Sequence, residues 1–241
     1  IPAPDALLHA ARITMLNLLC YFLEQARLAI EAARSLPPES RPVPLLCEAL
    51  QKASSDLRRC SRNLFKKHDG LSLDAVQAFY EAHAAGSPAP RISPAARPGD
   101  YDEEDEEGSN SGGQDSLESV LANHKNHWAG IHRAFAKDCG LASNLCTRDY
   151  RYCPSDALLE TLAAILMPGQ QRRLLLSDFL RKAYSRYGLV FREAECKGSG
   201  LAAAEQLDNA ELKANQSRLM RRFEALGLLS SLSDGCEFAL N

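Results

Sequence analysis

Between Ala85 and Gln114 the sequence loses the means to build a core, and that break governs how the rest can fold. Pro88, Pro90, Pro94 and Pro98 lead into Asp100, Asp102, Glu103, Glu104, Asp105, Glu106 and Glu107, and Gly108, Gly112 and Gly113 follow. Such a stretch has too little apolar surface to offset the entropy lost on ordering. It reads as a disordered acidic linker over 85–115, kept extended and soluble by its own charge. The break divides the 241 residues into a helical domain over 1–84, a helical region over 116–173 and a closing unit over 174–241.

The linker also masks the charge balance. The formal charge is −3, but the seven carboxylates of the acidic run outweigh it, so the folded parts are mildly basic. That falls well short of the positive field of a chain that lives on nucleic acid. The eight cysteines are dispersed over a chain able to bury its own core, several at apolar helix positions, and read as reduced thiols. A cytoplasmic location is expected. The apolar run from Ile13 to Leu23 is too short to span a bilayer and has no basic segment ahead of it, so no membrane association is expected. The start at Ile1 rather than Met suggests a piece of a longer protein.

Periodicity sets out the helices. Asp5 caps a first helix to about Arg34, stopped by Pro37 and Pro38. Leu46, Leu50, Ala53, Leu57, Cys60 and Leu64 step by three and four, predicting a second helix from about Pro44 to Lys67, ended by Gly70. Its closing cations, Arg58, Arg59, Arg62, Lys66 and Lys67, suit the negative end of the helix dipole. A short third helix is predicted from Ser72 to His83. Beyond the linker, Asp115 and Glu118 suggest a capping box for a helix whose stripe runs from Leu117 through His124 and Trp128 to Phe135. Pro154, Ser155 and Asp156 open another, with Leu158, Leu159, Leu162, Ile165 and Leu166 inward and Pro168–Gly169 at its end.

Candidate chemistry is sparse. His124, His127, His132, Cys139, Cys146 and Cys153 fall within thirty residues, and the set His124, His127, Cys139 and Cys146 is the best metal-binding candidate. The thiols recur every seven residues rather than as a C-x-x-C knuckle, and His124 falls on an apolar stripe, so core packing is the plainer reading and no cofactor is expected. Gly198–Ser199–Gly200 lacks the Gly-Lys-Ser/Thr ending of a phosphate loop. No activated thiol and no carboxylate pair outside linker or surface positions stands out, so no enzymatic activity is expected.

The clearest local signal is C-terminal. Ser177 is expected to cap a helix to Tyr187 that buries Phe179, Leu180 and Tyr184, with Gly188 at its end and Leu189–Val190–Phe191 as a short strand. A loose Gly- and Ala-rich bridge, Cys196 to Asn209, leads to a long helix, Asp208 to Leu226, with Leu212, Leu219, Met220, Phe223 and Leu226 on one face. Gly227 stops it. Leu228 to Ser233 and Cys236 to Leu240 then flank Asp234–Gly235 as a hairpin.

This order of elements over Leu174–Asn241 resembles the winged-helix (helix-turn-helix) family. The resemblance implies a trihelical core whose last helix enters the major groove of double-stranded DNA, with the hairpin as wing. Lys213, Asn215, Gln216, Ser217, Arg218, Arg221 and Arg222 would then face bases or phosphates, Arg and Asn being the side chains that read guanine and adenine bidentately. The wing offers Asp234 and Glu237 in place of cations. An acidic wing suits docking to protein.

The expectation is a mainly α chain, helical in its N-terminal and central regions, with a winged-helix-like module carrying one small β-hairpin. Its expected role is a non-enzymatic DNA-associated accessory region of a larger assembly that includes other protein subunits. The alternative is a protein-docking scaffold module that never touches nucleic acid.

Overall fold

The computed structural model describes residues 3–49, 55–84, 130–143, 149–167, 173–204, 207–232 and 236–240. Helix α1 (Ala3–Ala33) runs along helix α2 (Ser55–Ala84). Leu16, Leu19, Leu23 and Ala26 give α1 its buried edge, and Leu57, Leu64 and Phe65 give α2 its own. By length and composition α1 could also cross a membrane, its most apolar window having a mean hydropathy of 1.5. Its inner edge is nonetheless part of the protein core.

The stretch expected to begin a helix at Pro44 does not do so. Pro42 and Pro44 bracket extended backbone, and Leu45–Leu46 form strand β1, whose partner lies far along the chain. The separate helices expected to end at Lys67 and begin at Ser72 are one helix that runs through Gly70. A glycine in a helix interior costs about 1 kcal/mol, and the buried Phe65, Ala75 and Ala78 on either side outweigh it.

Helix α3 (130–138) packs Phe135 edge-on against Phe22 of α1, ring centroids 6.4 Å apart. Strands β2 (Ala142–Ser143) and β3 (Arg151–Tyr152) form an antiparallel pair with Ala142 opposite Tyr152. Helix α4 (Asp156–Leu166) starts where the sequence places it: the Ser155 side chain accepts from the Leu158 amide. His9 of α1 lies 2.7 Å from the Thr161 hydroxyl, which itself donates to the Ala157 carbonyl, so the imidazole donates here.

Strand β4 (Arg173–Leu175) leads directly into helix α5 (Leu176–Tyr187). The cap position falls on Leu175, with no side-chain cap, and Ser177 is inside the helix. Gly188 ends α5 in the left-handed conformation, φ 70°. Strand β5 (Leu189–Val190) then pairs in parallel with β1, Leu45 opposite Leu189. The bridge expected to be loose holds two short helices, α6 (Glu193–Gly198) and α7 (Leu201–Ala204). Helix α8 (Asn209–Ala225) is capped by Asp208, whose carboxylate accepts from the Ala210 amide at 3.0 Å.

Strands β6 (Leu229–Ser231) and β7 (Glu237–Leu240) are the hairpin arms, Ser230 opposite Phe238. Strand β4 joins β7 on its other edge, giving an antiparallel sheet of order β4-β7-β6. The chain is mainly helical with this small C-terminal sheet. One hydrophobic cluster joins Leu16, Leu46 and Phe65 to Leu162, Phe179 and Phe223. It therefore draws on both sides of residues 85–129. The expected linker, the capping box at Asp115, the stripe from Leu117 to Trp128, Pro168–Gly169 and the Asp234–Gly235 turn lie outside the described residues.

Candidate functional site

Helix α8 is amphipathic and buries the apolar face the sequence suggests, but not every residue expected to project from it is free. Leu212, Leu219 and Phe223 are buried, and Phe223 meets Phe179 of α5 edge-on at 5.6 Å. Asn215 lies on the same side and is fully buried. Its Oδ1 accepts from the Ala49 amide at 2.8 Å, while its Nδ2 donates to the carbonyls of Cys47, 3.0 Å, and Phe191, 2.8 Å. The base-reading role expected of Asn215 is thus overturned. Its side chain closes the backbone groups just beyond β1 and β5, which would otherwise be buried and unsatisfied.

Arg222 is committed too. Its Nε donates to Asp156 Oδ1 at 2.6 Å and its Nη1 to the Ala49 carbonyl at 2.8 Å, leaving the side chain 14% exposed. The Asp156 carboxylate sits at the N-terminus of α4, so the pair ties two helices together. Arg218 and Gln216 are half-buried. Lys213, Ser217 and Arg221 remain exposed, and their spacing of four puts them in one line along the outer side of the helix. Within that line the Ser217 hydroxyl donates to the Lys213 carbonyl at 3.1 Å. Of the seven residues expected on one interaction face, two are spent on folding, two are half-covered and three form an open stripe. Glu237, expected in the wing, is half-buried in β7.

Of the metal-ligand candidates, His124, His127 and Cys146 lie outside the described residues. Cys139 is in the core, its Sγ 3.4 Å from the Ala136 carbonyl, and burial pushes its thiol up to about 12. Cys153 is likewise buried and raised to about 11. His132 is engaged in a buried polar chain with Asp69 and Tyr152. Among the described residues no three His, Cys, Asp or Glu side chains gather as a metal site.

Two buried polar clusters carry no signal in the sequence pattern. In the first, His68 Nδ1 is 2.6 Å from Tyr152 Oη, Tyr152 Oη is 3.0 Å from His132 Nε2, and His132 Nδ1 is 2.5 Å from Asp69 Oδ1. Arg133 caps the chain with Nε donating to Asp69 Oδ2 at 2.8 Å. One proton arrangement satisfies every link with both imidazoles neutral. His68 donates to the tyrosine oxygen, the tyrosine donates to His132, and His132 donates to the carboxylate. Burial, then the neighbouring His132 and Lys67, holds His68 well below the usual histidine range. His68, Asp69, Tyr152 and His132 are buried, so the chain joins α2, α3 and β3, and the Arg133 side chain at its end is 44% exposed.

The second cluster is Glu48 beside β1 and Arg151 in β3, both fully buried, with Arg151 Nε 3.0 Å from Glu48 Oε1. Arg151 also reaches Asp149 Oδ2 at 3.1 Å. Burial raises the Glu48 carboxyl to about 7, opposed by the Arg151 and Arg58 cations. A shallow cavity of about 320 Å³ lies between α1, the Ser40–Leu45 segment and the end of α5. Its thiol, Cys20, is pushed up to about 12 by burial and is a poor nucleophile.

No protein-family model, curated protein or solved structure matches this chain.

Proposed function

We propose that this chain is a non-enzymatic protein-docking module of a larger assembly. In this reading the C-terminal unit over 174–241, with α5, α8, β6 and β7 as its main elements, is a winged-helix-like unit used as a scaffold rather than as a DNA reader. The observation that carries it is the commitment of Asn215 and Arg222 to Cys47, Ala49, Phe191 and Asp156. A helix reading the major groove needs such side chains free to reach base edges. Here they fasten the helix to its own protein. Along its outer side α8 leaves open Lys213, Ser217, Arg221 and Glu224, a short polar line with two cations and one carboxylate, suited to a polar protein surface of mixed charge.

The second reading, DNA association, is favoured by the strand order β4-β7-β6 beside α8 and by the exposure of Lys213 and Arg221. Duplex DNA titrated by fluorescence anisotropy at low and near-physiological salt separates the two. Docking predicts at most weak binding that Lys213→Ala with Arg221→Ala barely changes. Tight binding that falls steeply with salt, through counterion release, and collapses in the double variant would establish the DNA reading instead.

A further inference from the structure

The outer side of α1 has a pattern of its own, separate from the docking role of α8. Positions 7, 11, 14, 18, 21, 25, 28 and 32 alternate steps of four and three, and all eight are exposed among the described residues. This is the heptad seam of a coiled coil, and none of the eight side chains is charged. Leu7 is 72% exposed and Tyr21 64%, levels that a helix of ordinary amphipathicity reserves for polar groups. The opposite side of the helix, Leu16, Leu19 and Leu23, is already in the core, so the seam needs a second partner.

The sequence along the seam says which partner. About a point midway between Leu19 and Cys20, each position has a complement at the same distance on the other side. Leu7 mirrors Ala32 and Ala11 mirrors Leu28, large against small. Thr14 mirrors Gln25, polar against polar, and Leu18 mirrors Tyr21 at the centre. A two-fold axis through that point would bring each of these pairs together twice, as a self-complementary interface requires. From Leu7 to Ala32 the seam is about 38 Å long at 1.5 Å per residue. Two such faces, each roughly 10 Å wide, enclose about 760 Å² together, the size of a weak, concentration-dependent association rather than an obligate dimer.

We propose that α1 pairs antiparallel with α1 of a second copy of this chain, with Leu18 and Tyr21 at the two-fold axis. Sedimentation equilibrium of the full chain from about 1 to 100 μM tests this. The expected species is a dimer of twice 26.4 kDa. Leu18→Glu, at a site already 41% exposed in the single chain, should leave far-UV circular dichroism unchanged and weaken the dimer roughly a hundredfold, because it buries an unpaired charge.

Orientation is read from a size swap. Ala11→Leu alone overpacks its layer and Leu28→Ala alone leaves a gap, while the double variant restores the fit only if residues 11 and 28 meet across the axis. A monomer throughout the concentration range, a dimer indifferent to Leu18→Glu, or an additive double variant would each overturn the proposal. So would a monomer that binds phosphatidylcholine vesicles through this face, which would make the seam's occupant lipid.

Discussion

Asn215 donates from Nδ2 to the carbonyl oxygen of Cys47, 3.0 Å away, joining the longest C-terminal helix to the segment that follows β1. Its other two bonds close Ala49 and Phe191, so one amide serves three backbone groups from two distant stretches of chain. Replacing it by leucine of similar bulk leaves those groups buried without partners, at about 1–3 kcal/mol for each group left unsatisfied. Asn215→Leu is therefore expected to lower unfolding free energy in urea by about 3 kcal/mol or more. Arg221→Ala, six residues on and exposed, should stay within about 0.5 kcal/mol of the parent.

Gly188 is where α5 hands over to β5. With φ at 70°, a Cβ there would lie 2.0 Å from the Val43 carbonyl oxygen. Its own carbonyl accepts from the Leu45 amide at 2.7 Å, the first bond of the β1–β5 pair. Both the backbone conformation and the space exclude a side chain. Gly188→Ala is expected to cost about 2 kcal/mol or more in the same urea titration. Gly198→Ala, which meets nothing within 4 Å inside a helix, should be neutral or mildly stabilising.

Tyr152 Oη is the middle link between His68 and His132. Tyr152→Phe keeps the ring that packs on Phe65 at 4.9 Å and removes only the oxygen. Two buried imidazole nitrogens lose their partner, at about 2–4 kcal/mol by thermal or chemical unfolding. Faster amide exchange in α2 and α3, which the network joins, would locate the effect.

Glu48 gives a pH signature. Burial raises its carboxyl from 4.5 to about 7 in the folded chain, so the folded state holds a proton that the unfolded chain has released. The stability this supplies is complete below about 4.5 and is lost as pH rises through about 7. Glu48→Gln, a neutral stand-in for the protonated acid, lacks that loss. The stability of the parent relative to Glu48→Gln should fall between those limits by at most about 1.4 kcal/mol per pH unit. His68 runs the other way: its lowered value favours unfolding as pH drops through the ordinary histidine value of 6.5. That contribution is common to both proteins and cancels in the difference.

The elements legible in the sequence are those whose information is local. Ser155 and Asp208 cap α4 and α8, Gly188 and Gly227 stop helices in the left-handed conformation, and the Asp234–Gly235 pair in the sequence marks where the hairpin arms lie. The stretch after Pro44 was not legible as a strand, because Leu45 and Leu46 find their partners at Leu189 and Val190, far along the chain. Strand β4 has no local marker for the same reason, its pairing with β7 spanning the whole C-terminal unit. In α8 the signal is in the stripe itself. Asn215 sits three residues after Leu212 and four before Leu219, the spacing of the buried stripe, and a polar residue there calls for internal hydrogen bonds. The Asp69–His132–Tyr152–His68 chain had no such marker, since no periodicity brings those four positions together.

The open line of Lys213, Ser217 and Arg221 offers the most direct test of the docking account. A benzophenone side chain installed at position 217 and irradiated in cells reports what touches α8 in the intact assembly. The account predicts an adduct to one protein species, reduced by charge reversal at Lys213 and Arg221 and resistant to nuclease. A nuclease-sensitive adduct to DNA would contradict it.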